Sequence, residues 1–366
     1  MKDIRIFVDC HVFDGPFQGT TSYLRGLYLE LIKQKNIRFF LASNNPNNLA
    51  AIFGEHENVV YLRYQFKNKF SRLLFEIPFM IAKHKADFAH YQYIVSPLKK
   101  CKYITTIHDV MFLDFPEYFP QSYRFKNRFL FKWSARKSDI VLTVSNYSKS
   151  RIKEHFAIHK IFVTHNAVDS VFLEPFQKTE AQAHIKSNFG VENYFLFVSR
   201  FEPRKNHITL LKVFVEKKYY LTNQLVFIGN DALECKELDQ YYNQLSDEIK
   251  SKIRILKKVD FKNLVLFTRA ASLAIYPSIA EGFGIPPLES IASETPTICS
   301  NSTAMSDFDF ISPFLFNPLD EKDLDSKIDN ALHYESWKNS KNQMCQKYNW
   351  KNSAEEFLKA IESQND

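Results

Sequence analysis

The segment Ser278-Ile-Ala-Glu281-Gly-Phe-Gly284-Ile-Pro-Pro-Leu-Glu289 sets two carboxylates on either side of a glycine-containing turn that runs into a helix. The apolar run Leu273 to Pro277 before it suits a buried strand, and Pro286 and Pro287 suit a first helical turn, where a missing N–H costs nothing. Backbone N–H groups of Phe283, Gly284 and Ile285 then point out of a helix N-terminus, with the positive pole of its dipole, toward a diphosphate. A carboxylate accepts two hydroxyl hydrogen bonds at once, so Glu289 suits a ribose diol and Glu281 the hydroxyls of a sugar. Two glutamates eight apart are common on solvated helices. It is the filled pattern, Gly-Phe-Gly-x-Pro ahead of an amphipathic helix, that few purely structural segments demand.

The elements that must position these groups follow a βαβα rhythm, which argues for parallel sheets covered by helices. Strands are expected at Ile4 to Asp9, Ile37 to Ala42, Val59 to Leu62, Phe88 to Tyr91, Tyr103 to His108, Ile140 to Val144 and Ile161 to Thr164. Apolar positions at helical spacing predict the first helix over Thr20 to Lys33. The rhythm breaks after Asn166, through a polar stretch to about Ala181, where a linker is expected. It restarts with strands at Tyr194 to Ser199, Gln224 to Gly229, Ile253 to Leu256, Leu273 to Tyr276 and Thr297 to Ser300. A chain of 366 residues has ample material for two cores.

No run of eighteen apolar residues occurs, and Met1-Lys-Asp-Ile-Arg-Ile-Phe-Val opens directly on a strand-like alternation, so neither a signal peptide nor a spanning helix is expected. The five cysteines are scattered, without Cys-x-x-Cys or metal-ligand spacing, which fits a reducing cytoplasm without structural zinc. Basic charge is concentrated early: residues 1–170 carry 25 Lys+Arg against 14 Asp+Glu, the remainder 23 against 27. In Arg63 to Arg72 and Tyr123 to Trp133 aromatics alternate with cations. Such stretches suit an anionic lipid surface, at ~1 kcal/mol per cation near the headgroups. A soluble basic face with its aromatics turned inward is the other reading. Nucleic acid ranks below both, since no nucleic-acid-binding motif accompanies the charge.

The glutamate segment resembles the Glu-x7-Glu motif of retaining GT-B glycosyltransferases, in particular family 4, mannosyltransferases among them. The resemblance continues in order along nearly the whole chain: Gly15 to Arg25, Thr105-Thr-Ile-His108-Asp109, Asn166-Ala-Val-Asp169, Phe197-Val-Ser-Arg200-Phe-Glu-Pro-Arg-Lys205-Asn206 and Phe227-Ile-Gly229. It implies an α/β fold of two Rossmann-like, doubly wound domains facing across a donor-binding cleft. Residues 1–172 would form the acceptor side, 173–345 would bind a nucleotide sugar, and 346–366 would form a helix crossing back to the first domain. Arg200 and Lys205, with Gly19 and the amides at Gly284 and Ile285, would hold the donor diphosphate. Two cations converging on a glycine turn neutralise such a leaving group well. Asn206 also fits an ordinary cap. The donor sugar would meet Glu281, Gly282, Phe283 and His108; the nucleoside would meet Glu289, Gly229 and the backbone at Val259; Thr20 and Asp109 would face the acceptor. The paired glycines usual in the first loop are replaced here by Gln18-Gly19, and Ala167 stands where the family carries glycine.

The implied reaction transfers a hexose, from GDP-mannose or a UDP-hexose, to a hydroxyl of a glycan or lipid-linked oligosaccharide, with retention at the anomeric carbon. Glu281, His108, Arg200 and Lys205 would be its catalytic group. Electrostatic stabilisation of the leaving diphosphate removes the need for a metal or other cofactor, and Asp307-Phe-Asp309 stands outside any plausible metal-binding setting. The expected setting is bacterial surface-polysaccharide synthesis in the cytoplasm, at the inner face of the plasma membrane. A sugar-nucleotide 2-epimerase and a non-catalytic sugar-nucleotide-binding subunit are the alternatives.

Overall fold

The structure, a computed structural model, describes residues 4–16, 18–334 and 336–364. Met1 to Asp3 of the opening segment and Phe17 of the first glycine loop lie outside the described residues. The chain forms two compact units, one of residues up to Ala167 together with Tyr348 onward, the other Val168–Lys347.

Among the described residues the first unit is built on seven parallel strands: Ile4–Asp9 (β1), Ile37–Ser43 (β2), Val59–Arg63 (β3), Phe88–Gln92 (β4), Lys102–Thr106 (β5), Ile140–Thr143 (β6) and Ile161–Val163 (β7). Their order is β3-β2-β1-β4-β5-β6-β7. The second unit has six: Tyr194–Val198 (β8), Gln224–Ile228 (β9), Ile253–Leu256 (β10), Leu273–Tyr276 (β11), Thr297–Ser300 (β12) and Leu315–Phe316 (β13), in order β10-β9-β8-β11-β12-β13. Strands covered by helices on both faces favour continuous apolar runs, and β11, Leu-Ala-Ile-Tyr, is buried along its whole length. β13, which pairs with Cys299 and Ser300, is absent from the sequence expectation because two residues carry no period. In both sheets the order reverses once, between β1 and β4 and between β8 and β11. Such a switch point opens a crevice at the carboxyl ends of the strands, where ligands bind in doubly wound sheets.

Two expected elements shift. The strand expected to reach His108 ends at Thr106; the Ile107 N–H still donates to the Leu142 carbonyl, and His108 beyond it stands on a loop. The first helix runs Gly19–Leu31, with Gln18 as a reciprocal capping box toward Thr21. The 3-10 turn Ser170–Leu173 goes with the second unit, where Phe172 packs edge-on to Phe261, so the division falls a few residues before the expected 172.

The last helix, Trp350–Glu362, is part of the first unit. Asn349 caps it by accepting from the Asn352 N–H, Ser353 Oγ donates to the His165 carbonyl at 2.6 Å, and Phe357 packs against Tyr28 and His90. Trp350 lies on Gly26 of the first helix so closely that a Cβ there would sit 2.0 Å from the indole. Among the described residues no helix is long and apolar enough to cross a membrane.

Gly26→Ala therefore forces the indole to move. Alanine is favoured over glycine in a helix by about 1 kcal/mol, yet overpacking costs about 1–3 kcal/mol. Urea unfolding is expected to find the variant less stable than the parent.

Candidate functional site

At the β8/β11 switch point the loops after the two strands are sewn together. The chain leaving β8 turns through a short 3-10 helix, Pro203–Lys205, and the chain leaving β11 runs through Ser278 to Glu281. The Ile279 N–H donates to the Arg204 carbonyl at 2.8 Å, and Arg204 Nη1 donates to the Ala280 carbonyl at 2.7 Å. Asn206, with positive φ, donates its side-chain amide to Pro277 and Pro318 carbonyls, so it ties two loops and does not cap a helix through its side chain.

Glu281 is the centre of this junction. Lys205 Nζ lies 2.5 Å from Oε1, Arg204 Nη1 3.3 Å from Oε2, and the Glu281 N–H donates to Thr303 Oγ1 at 2.9 Å. Burial alone would raise its pKa; Lys205 first and Arg204 next reverse that and hold the carboxyl at about 2, so it is ionised. Burial likewise lowers the pKa of Lys205, against the opposing pull of Glu281. Arg204 also pairs with Glu202 at 2.8 Å, and the other Glu202 oxygen takes Arg200 at 2.8 Å. The side chain of Arg200 remains 59% exposed. Three cations thus face two carboxylates, and the outermost cation is the one open to solvent.

Gly284 precedes the helix Ile285–Ala292, whose first turn holds Pro286 and Pro287 as expected. Its φ is +101°, and a Cβ would meet Met305 at 2.9 Å, so both conformation and space require glycine. Phe283 is buried edge-on to Phe308, and Gly282 joins it to Glu281. Glu289 departs from expectation. Burial, and next the carboxylate of Asp169, push its carboxyl up to about 8, so at neutral pH it is an acid that both donates and accepts. Gly229 follows β9, where a Cβ would collide with the Ser199 carbonyl at 1.9 Å; the ends of β8 and β9 touch backbone to backbone. Just beyond it a cavity of ≈ 440 Å³ is lined by Phe201, Asp231 to Cys235, Asp239 and Lys257. Val259 packs, partly buried, against the core of the second unit.

The first unit has its own recess at the β1/β4 switch point, ≈ 400 Å³, lined by His11, Gln18, Thr20, Lys69, Gln92 and Tyr93 among others. Beneath it Asp9 takes a hydrogen bond from Tyr64 at 2.8 Å and lies 3.1 Å from His11 and 3.8 Å from Arg72. Burial opposes its charge, but His11 and Arg72 keep its pKa well below the usual carboxylate range. His108 is buried, Nε2 2.7 Å from Gln92 Oε1 and its ring edge-on to Tyr23. Burial lowers its pKa to about 3, so it is neutral and donates through Nε2. Asp109 accepts from the Met111 N–H at 3.2 Å. Gly19 is the first residue of its helix with open space around it, so it makes no close backbone approach there.

Arg204, Glu202, Thr303 and Gln92 are the groups that sequence reasoning missed. Arg204 stood in the quoted Glu-Pro-Arg-Lys, and only the burial of one cation and exposure of another separates their roles. Among the described residues no group of three or more His, Cys, Asp or Glu side chains is placed to hold a metal ion.

The family described as "Glycosyl transferases group 1" matches residues 179–362, and "Glycosyltransferase Family 4" matches 17–172. The O-antigen chain mannosyltransferase RfbU of Salmonella typhimurium is 34% identical over 230 residues, 62% of this chain and 59% of that protein; the match thus spans well under two thirds of the relative. Among solved structures, the sucrose-phosphate synthase of Thermosynechococcus elongatus is 17% identical, covers 99% of both chains and has a TM-score of 0.76. Anabaena Alr3699/HepE, solved in complex with UDP and glucose, is 14% identical, covers 98% of this chain and 99% of its own, and has a TM-score of 0.71. These likenesses identify the architecture as GT-B.

The raised pKa of Glu289 has a pH signature. Its stabilising contribution is fully present below its ordinary value of 4.5 and is lost as pH rises through about 8. Thermal stability of the parent should therefore fall from about pH 4.5 to about pH 8, and Glu289→Gln should flatten that slope. Equal slopes would place the carboxyl in water.

Proposed function

The chain belongs to the glycosyl transferases group 1, and from that footing we propose that it moves a hexose from a nucleoside diphosphate sugar to a hydroxyl of a glycan or lipid-linked acceptor, with retention. The observation that carries this reading is the switch-point cluster of the second unit, where Arg204 and Lys205 hold Glu281 beside a helix N-terminus and Arg200 joins the cluster through Glu202. Such a site suits a diphosphate joined to a polyhydroxylic sugar.

In this reading Arg200, Lys205 and the amides at Gly284 and Ile285 take up the charge that develops on the departing diphosphate. The bond from the anomeric carbon to the phosphate oxygen breaks. The acceptor oxygen bonds to that carbon from the same face, and its proton passes to the departing phosphate. Glu281, ionised and pinned at both oxygens, receives sugar hydroxyls without becoming a nucleophile. His108 is a neutral hydrogen-bonding partner for sugar or acceptor, while Thr20 and Asp109 belong to the acceptor side. Charge neutralisation by these cations makes a metal or other cofactor unnecessary. Glu289 would meet the ribose, and the cavity beyond Gly229, with Val259, would take the base. The similarity to RfbU, an O-antigen chain mannosyltransferase, supports mannose as the sugar in surface-polysaccharide synthesis, with GDP-mannose as the proposed donor, and the likeness to HepE, solved with UDP and glucose, keeps a UDP-hexose as the second. The proposed setting is the cytoplasm, with peripheral contact at the membrane through the basic first unit.

Glu281→Gln is expected to lower turnover by about 10²-fold, because a misplaced sugar loses its near-attack geometry; near-normal turnover would sink the positioning role. Replacing Arg200 and Lys205 by Ala should raise donor KM and lower kcat together, with unfolding measured alongside because Lys205 also holds Glu281. Among GDP, UDP and ADP and their sugars, the true donor at about a hundred times its Kd should stabilise the protein by ~2.7 kcal/mol. Conversion of the donor to a new nucleotide sugar without acceptor would point to an epimerase instead.

A further inference from the structure

The helical run after β3 is interrupted in an unusual way. Lys69–Ser71 and Ile77–His84 are α-helical, and Arg72–Glu76 between them is a π turn. In an unbroken α-helix, side chains five apart diverge by roughly 140°. A π turn closes with i→i+5 bonds, so Phe75 comes to lie about one turn above Phe70, and Phe79 follows four residues on. Leu73, Ile77 and Ile81 turn into the core, while the three phenylalanines are 67%, 64% and 66% exposed. The helix Gln121–Lys137 repeats the arrangement: Asn127, Phe131 and Ser134 face inward, and Phe125 and Phe129 are 87% and 70% exposed.

These two helical segments are neighbours in the first unit. Lys69 and Lys126 are close enough to repel each other. Trp133 packs on the same core cluster as Leu73 and Ile77, and the recess has Lys69 on one wall and Tyr123, Asn127 and Phe131 on another. A shared surface with five large exposed aromatics exceeds the isolated apolar residues that any soluble surface tolerates. Its charge is one-sided. The helix Gln121–Lys137 has six Lys and Arg and no acid, and in Lys69–His84 the lone acid, Glu76, is buried and accepts from the Gln65 and Phe66 amides.

We infer that the outer face of these helices docks on an anionic bilayer, with Phe70, Phe75, Phe79, Phe125 and Phe129 entering the acyl boundary and the surrounding cations meeting lipid phosphates. Charge complementarity selects this partner, since uniform positive charge among exposed aromatics opposes self-association and matches an acidic leaflet. Long lysine and arginine stems can lie along apolar surface while their heads stay at the phosphates. Docking brings the recess, walled by the same helices, to the membrane surface. That the recess there receives a lipid-linked acceptor rests on the glycosyl-transfer reading; the docking itself does not.

The full chain is mixed with vesicles of phosphatidylcholine alone and of equal parts phosphatidylcholine and phosphatidylglycerol, then sedimented. The parent is expected to co-sediment with the anionic vesicles only. The double variant Phe125→Ser, Phe129→Ser should lose about tenfold or more in apparent affinity, while retaining the parent's circular dichroism and thermal unfolding. In Phe125→Trp, the added indole fluorescence should be quenched by brominated lipid. Parent-like vesicle binding by the serine variant, an unquenched indole, or no vesicle binding together with self-association that the serine variant abolishes would each overturn the inference. Vesicle binding without any transfer activity supports the docking face while sinking the glycosyl-transfer reading.

Discussion

The carboxylate of Glu281, enclosed between Lys205 and Arg204, is the interaction on which the second unit's site depends. Burial penalises the charge of Glu281 and of Lys205, and each offsets that penalty for the other. Their mutual attraction also fixes backbone: Arg204 bonds the Ala280 carbonyl, and Thr303 holds the Glu281 amide. The loop after β8, the loop after β11 and the turn before the glutamate helix therefore have one relative position. Whatever binds there meets a preset arrangement of charge.

Sheet topology explains why that arrangement forms where it does. Parallel strands leave their carboxyl ends together, and reversal of strand order parts the loops that would otherwise cover them. In the second unit the opening falls between β8 and β11 and is filled by the Glu281 cluster. In the first it falls between β1 and β4, where Asp9 is held by Tyr64, His11 and Arg72 under a recess. Each unit thus places a buried carboxylate beside cations at its switch point. One cluster leaves Arg200 exposed, and the other lies beneath a recess edged by Lys69.

Protonation divides the titratable groups by environment. Glu281 is ionised because cations surround it, whereas Glu289, eight residues on, keeps its proton at neutral pH because burial and Asp169 both oppose its charge. His108, sealed against Tyr23 and bonded to Gln92, stays neutral and serves as an oriented hydrogen-bonding group. Identical side chains in one motif therefore differ in protonation at neutral pH.

The strand rhythm was legible in the sequence because buried parallel strands favour continuous apolar runs, and Leu273 to Tyr276, buried throughout, forms as read. The turn at Gly284 was legible too, since Gly-x-Pro-Pro admits few backbones. Residue type and spacing thus determined the two doubly wound sheets and the presence of carboxylates and cations at one strand end. Tertiary structure alone decided which cation pairs with Glu281, that Glu289 is neutral, that His108 hangs from Gln92, and that a π turn gathers Phe70, Phe75 and Phe79 on one face. Those outcomes turn on burial and on partners distant in the chain, and local sequence periodicity carries neither.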